Sequence, residues 1–215
     1  GLGAKAMMDE GLLKNFLIQE IYGIHNLPGV PTGELLTRSG IICSSESLFE
    51  IKIKGIGGHS SMPQLGRDAI TIGAEIVQAL QTIVSRRIAS GSGAVVSVTE
   101  FISNGQRNVL PGETILKGDV RTRQPDDRKK IELYLNQIAS GIASAHNIEI
   151  EVFFETEFLE TINHIKPTSA VLETAKKNGL KITDCKPMSF SEDFAHFSNA
   201  VPGCFFLLGN GTDGA

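Results

Sequence analysis

Hydrophobic and polar positions change their period several times along the chain, and each change predicts an element. Phe49, Ile51 and Ile53 alternate with Glu50, Lys52 and Lys54, the period of a strand with one buried face, closed by Gly55. From Arg67 to Ile88 the apolar residues recur at Ala69/Ile70, Gly73, Ile76/Val77, Leu80 and Ile83/Val84, a helical stripe of about six turns. Strands are predicted from Ala94 to Ile102 and from Glu113 to Arg121; the latter sets Leu116, Gly118 and Val120 on one face and mostly charged residues on the other. A second amphipathic helix begins at Pro125 and Asp126 and carries Ile131, Leu135, Ile138 and Ile142. The strand Ile148 to Glu157 alternates Ile150, Val152 and Phe154 with glutamates. The order βαββαβ over residues 47–158 predicts an inserted ferredoxin-like α+β domain.

The flanks read differently. Residues 1–46 predict a helix over Gly1 to Leu13, a strand Gln19 to Ile24, a Pro-rich turn and a short strand Gly33 to Ser39. Residues 159–215 predict helix (Pro167 to Asn178), strand, helix (Glu192 to Phe197) and strand (Cys204 to Leu208). Neither flank can bury its apolar faces alone, so 1–46 and 159–215 are expected to form one α/β domain that the 47–158 domain interrupts. The opening residue is Gly1, and the sequence closes on the Gly-rich run GNGTDGA; both ends read as positions inside a larger protein.

With 215 residues, 41% hydrophobic and 20% charged, the chain is long enough for a real core and too apolar for a disordered segment. Its net charge of −4, without a basic stripe, argues against nucleic acid as a partner. Apolar windows such as Cys204 to Leu208 are far shorter than the ~20 residues of a membrane span, and no signal peptide opens the sequence; a soluble, cytoplasmic protein is expected. Cys43, Cys185 and Cys204 form no CxxC pair and read as buried thiols.

Four residues carry the chemical reading. His25 follows a strand in IYGIHNLPGVPTG, where prolines stop helix or central strand; a neutral imidazole there suits a metal ligand, or else a hydrogen-bonded loop histidine. His59, in GIGGHSSMP, is flanked by glycines that leave its ring unobstructed for a group outside its own domain, or it is the incidental histidine of a polar turn. The neighbouring Ser60 and Ser61 lack a GxSxG setting, which leaves a serine hydrolase far behind. Asn108 offers turn chemistry or an amide for a carbonyl oxygen. Arg121 is a solvated charge or a carboxylate clamp. His146, His164 and His196 read as surface or structural residues.

In order, GLGAKAMMDEG, GIHNLPGVPTG, GGHSSMP with NVLPGET, and SEDFAHFSNAVPGCFFLLGNG resemble the metal-dependent aminoacylase, hippurate hydrolase and indoleacetyl-amino-acid hydrolase family, in the superfamily of carboxypeptidase G and succinyl-diaminopimelate desuccinylase. The resemblance implies a zinc-peptidase-like α/β catalytic domain, here partial, with an inserted lid that forms a homodimer. It implies two divalent metal ions, zinc or manganese, and hydrolysis of the amide bond of N-acyl amino acids by metal-activated water. By motif, His25 matches a metal ligand and His59 a lid histidine that stabilises the oxyanion in the partner subunit's site. Asn108 and Arg121 match substrate-holding lid residues, Arg121 as clamp for the amino acid's carboxylate. The family's remaining ligands and its paired glutamates fall before and after this sequence, so the polypeptide by itself is expected to be inactive. The alternative is a non-catalytic ligand-binding or dimerisation protein built on the ferredoxin-like module.

Overall fold

The computed structural model describes residues 3–213, which divide into two compact units, 3–45 with 158–213, and 46–157. Gly1 and Leu2, the start of the predicted first helix, and Gly214 and Ala215 lie outside the described residues.

The first unit opens with helix α1 (Gly3–Asp9) and a short α2 (Leu12–Asn15), where the sequence predicts one helix to Leu13. Gly11 divides them, at φ 93°, a left-handed conformation that suits glycine. Strands β1 (Ile21–Leu27), β2 (Leu35–Thr37) and β3 (Gly40–Cys43) follow.

The chain then builds the second unit: β4 (Glu46–Lys54), β5 (Gly58–His59), α3 (Ala69–Thr82), β6 (Val95–Ser103), β7 (Val109–Leu110), β8 (Glu113–Arg121), α4 (Pro125–His146) and β9 (Glu149–Phe158). Asp68 caps α3 by accepting the Ile70 amide at 2.9 Å. The predicted helical stripe to Ile88 is interrupted after Thr82 by a five-residue π-helical turn, Ile83–Arg87, which widens the last turn. The four long strands lie in the order β6-β8-β4-β9, with β8 antiparallel to both β4 and β6. Phe49, Ile51, Ile53, Leu116 and Val120 meet Ile72, Ile76, Leu80, Ile131 and Leu135 of the helices in one buried core. The opposite face carries a charge ladder, with Lys52 3.6 Å from Glu113 and Lys117 3.7 Å from Glu50. β6 is an edge strand, and Val95, Phe101 and Ile102 on it are exposed.

Back in the first unit come β10 (Thr161–Asn163), α5 (Ile165–Lys177), β11 (Ile182–Asp184), α6 (Ala195–Ser198) and β12 (Gly203–Gly209). The sheet order is β1-β12-β2-β11: β12 runs parallel to β1 and antiparallel to β2, and β11 parallel to β2. β3 and β10 form a separate antiparallel pair. Leu36, Ile42, Cys43, Cys185, Phe194, Phe205 and Leu207 form this unit's core. All three cysteines are buried with free thiols, and burial raises each thiol above its ordinary pKa, which disfavours the reactive thiolate.

Among the described residues, no helix is long and apolar enough to cross a membrane.

Candidate metal and substrate site

His25 sits near the C-terminal end of β1, paired with Leu207 of the parallel strand β12. Its Nδ1 lies 2.7 Å from the Asn26 carbonyl. A carbonyl only accepts, so Nδ1 carries the proton and the Nε2 lone pair is left for another partner. Glu192 Oε1 stands 3.8 Å from that Nε2.

Glu192 is a site residue the sequence reading did not single out, and a close backbone approach brings it there. Gly23 and His25 point to the same side of β1. A Cβ at Gly23 would lie 2.6 Å from the Phe194 ring, so only glycine lets that ring settle on the strand. Phe194 also packs on Phe205, with centroids 5.5 Å apart, and two residues upstream Glu192 reaches His25. The intervening Asp193 ties the same loop to the start of α1 by accepting the Ala4 amide at 3.0 Å. Partial burial raises the Glu192 pKa, a protonated His25 would oppose that rise, and Asp193 adds to it.

In the second unit, His59 on β5 pairs with Val109 of β7, and the Ser60 amide donates to the Asn108 carbonyl at 3.0 Å. His59 and Asn108 are therefore brought together, both exposed. The Ser61 amide donates to His59 Nδ1 at 3.2 Å, and the Ser61 hydroxyl lies 2.8 Å from the same nitrogen. An amide only donates, so Nδ1 holds the lone pair and Nε2–H points outward as a donor.

Arg121 is elsewhere. It ends β8, whereas β7 and Asn108 precede its first residue, Glu113, and a nine-residue strand spans roughly 27 Å. Its guanidinium donates to Asp119 at 2.9 Å and to Glu46 at 2.6 Å. Within one unit the length of β8 thus holds Arg121 away from His59 and Asn108, and its charge faces two carboxylates. Of the other histidines, His146 lies 2.7 Å from Glu75, and His164 accepts the Gly203 amide at 3.1 Å.

An imidazole and a half-buried carboxylate are both metal donors, so the His25–Glu192 pair fits part of a divalent-metal site. A complete site needs three or four protein ligands. Among the described residues no group of three or more His, Cys, Asp or Glu is placed to hold a metal ion.

Comparison with known proteins gives this geometry its context. Residues 47–147 match the peptidase dimerisation domain. The chain is 32% identical over 212 residues to N-acetylcysteine deacetylase of Bacillus subtilis, covering 98% of this chain and 55% of that protein. It is 33% identical over 210 residues to N-acetyldiaminopimelate deacetylase of Leuconostoc mesenteroides, covering 96% and 55%. The crystal structure of Bacillus subtilis YXEP protein, described as a dinuclear metal-binding peptidase of the M20 family, superposes with a TM-score of 0.79 at 27% identity, covering 96% of this chain and 51% of that one. The chain is similar to these two deacetylases and to this M20-family peptidase, with a peptidase-like α/β unit and a segment, residues 47–147, that matches the dimerisation domain. It spans about half the length of the curated relatives it matches.

Proposed function

We propose that this chain belongs to a homodimeric metal-dependent amidohydrolase that cleaves N-acyl amino acids. The observation that carries the proposal is the proton placement on the two histidines: His25 presents a lone pair, as a metal ligand must, and His59 presents a donor, as an oxyanion partner must. Two divalent ions, zinc or manganese, would supply Lewis-acid polarisation and an activated water when bound. This chain's own part is narrower. His25 holds one metal position, and Glu192 borders it. His59 donates through Nε2 to the oxygen that gains charge, and Asn108 beside it orients the carbonyl. Arg121 grips the amino acid's carboxylate.

Because Arg121 ends β8 while His59 and Asn108 lie at the separate β5–β7 pair before that strand begins, one dimerisation domain serves two active sites in this reading. The pair reaches the partner subunit's site while Arg121 serves a different one. The βαββαβ arrangement is taken as a ferredoxin-like lid, with edge strand β6 and helix α3 as the dimer surface.

The deciding experiment is metal titration by calorimetry with an N-acyl amino acid hydrolysis assay, on the 215-residue chain and on the open reading frame that contains it. One imidazole and one carboxylate predict weak metal binding and no turnover by the 215-residue chain. Metal-dependent turnover by the reading frame supports the proposal; its absence there returns the non-catalytic binding protein.

A further inference from the structure

A cavity of about 370 Å³ opens beside His25, lined by His25, Asn26, Leu27, Pro28, Phe190 and Glu192, together with Ser191. Its chemistry is divided. His25 and Glu192 present polar groups, whereas Leu27, Pro28 and Phe190 form an apolar wall. Phe190 is 36% exposed, a large aromatic surface left to solvent.

The backbone beneath Phe190 is fixed. The Ser44 amide donates to the Phe190 carbonyl at 3.0 Å, and the Met188 amide donates to the Ile42 carbonyl at 2.7 Å. The Ser44 hydroxyl closes the same loop by donating to the Met188 carbonyl at 2.9 Å. Three bonds to the end of β3 make Phe190 a built feature of the cavity wall, with little entropy left to lose when a ligand covers it.

We infer that Phe190 is a specificity-determining residue, the wall against which an apolar substituent of the substrate amide packs. The inference rests on the amidohydrolase reading, since a scissile amide held at His25 places whatever it carries next to Leu27, Pro28 and Phe190. Size agrees: a cavity of about 150 Å³ suffices for benzene, and this one is more than twice as large with the Phe190 ring already in place. The ring is therefore a contact surface. The apolar substituent is either the acyl group or the amino acid's side chain, and two arms of one experiment separate them.

The probes are N-benzoylglycine against N-acetylglycine for the acyl arm, and N-acetylphenylalanine against N-acetylglycine for the side-chain arm. Binding is read by NMR on the 215-residue chain, and kcat/KM on the open reading frame that contains it, each for the native sequence, Phe190→Ala and Phe190→Leu. In one arm the aromatic probe should be favoured by about tenfold or more, with that preference falling about tenfold in Phe190→Ala and largely kept in Phe190→Leu. The arm that collapses identifies the substituent. Unchanged ratios in both arms, or a preference for the aromatic probe that rises when the ring is removed, would overturn the inference. Hydrolysis with selectivity independent of Phe190 sinks the inference alone. Phe190-dependent binding without hydrolysis in the reading frame sinks the amidohydrolase reading instead.

Discussion

His25 and His59 differ in which nitrogen holds the proton, and the difference comes from one neighbouring atom in each case. A carbonyl beside Nδ1 of His25 fixes the proton there; an amide beside Nδ1 of His59 drives it to Nε2. Long-range ¹H–¹⁵N correlation spectra at neutral pH should accordingly show Nδ1–H for His25 and Nε2–H for His59. The same protonated nitrogen in both would remove the basis for assigning them different roles. Glu192 adds a pH dependence at the same scale. Its pKa is raised in the fold, chiefly by burial, so the native state holds its proton more tightly than the unfolded chain. The stability this contributes is full below the ordinary glutamate pKa of about 4.3 and is lost as pH rises through the higher folded value. Glu192→Gln should remove that loss, so its Tm relative to the native sequence should rise between pH 4 and pH 7. A relative Tm that falls over this range would show that the carboxylate is stabilised in its ionised form.

At the scale of elements, one close contact couples packing to the site. In Gly23→Ala the new methyl would meet the Phe194 ring at 2.6 Å, an overpacking that costs about 1–3 kcal/mol. Denaturant unfolding should record that loss, and the His25 ring resonances should shift as Glu192 retreats; an unchanged stability would mean the ring has another place to go. Asn163 is a second coupling point. Only 2% exposed, it donates to the Thr37 hydroxyl and to the Arg38 and Phe205 carbonyls, and accepts the Phe205 amide at 2.7 Å. It thereby links β2 and β12 beyond their two paired positions, Leu207 with Leu36 and Leu208 with Leu35. Asn163→Ala takes this partner from the Arg38 carbonyl and the Phe205 amide, while the Thr37 hydroxyl still donates to the Phe205 carbonyl at 2.9 Å, and should cost about 1–3 kcal/mol in the same measurement. Such contacts also explain what the sequence makes legible. β8 runs from Glu113 to Arg121 as its alternation predicts, because a strand buried on one face writes its period into adjacent residues. β3 and β10 are only four and three residues long, pair across more than 100 positions and shift register between Thr161 and Ile162, so no local period announces them. The candidate site divides likewise. His25 is conspicuous beside its prolines, whereas Glu192 depends on Phe194 resting on Gly23, a contact between residues 171 positions apart. The separation of Arg121 from His59 is a matter of strand length, which motif order conceals.

For the whole molecule, the exposed β6 edge and the separated ends of the dimerisation domain lead to one experiment on assembly. If two copies join across β6 and α3, proteins carrying this chain should elute as dimers. Lysine at Val95 and at Ile102, both on the edge strand, should shift them toward monomer. Dimerisation alone does not place His59 in the partner's site; complementation does. If the proposed roles of His59, Arg121 and His25 hold in a hydrolysing protein that contains this chain, His59→Ala removes an oxyanion donor and should lower kcat by about 100–1,000-fold with little change in KM. Arg121→Ala should mainly raise KM, by about 1.5–3 kcal/mol of lost binding, because the carboxylate is held alike in ground and transition states. His25→Ala should remove activity by removing a metal ligand. A subunit with His59→Ala keeps a sound metal site and lacks a donor to lend; one with His25→Ala keeps the donor and lacks a metal site. Joined in one dimer, they complete one of the two sites. Random exchange of equal amounts should restore about one quarter of the native activity, from two variants that are nearly inactive apart. Verified subunit exchange without recovery would confine His59 to its own chain or to the turn it caps.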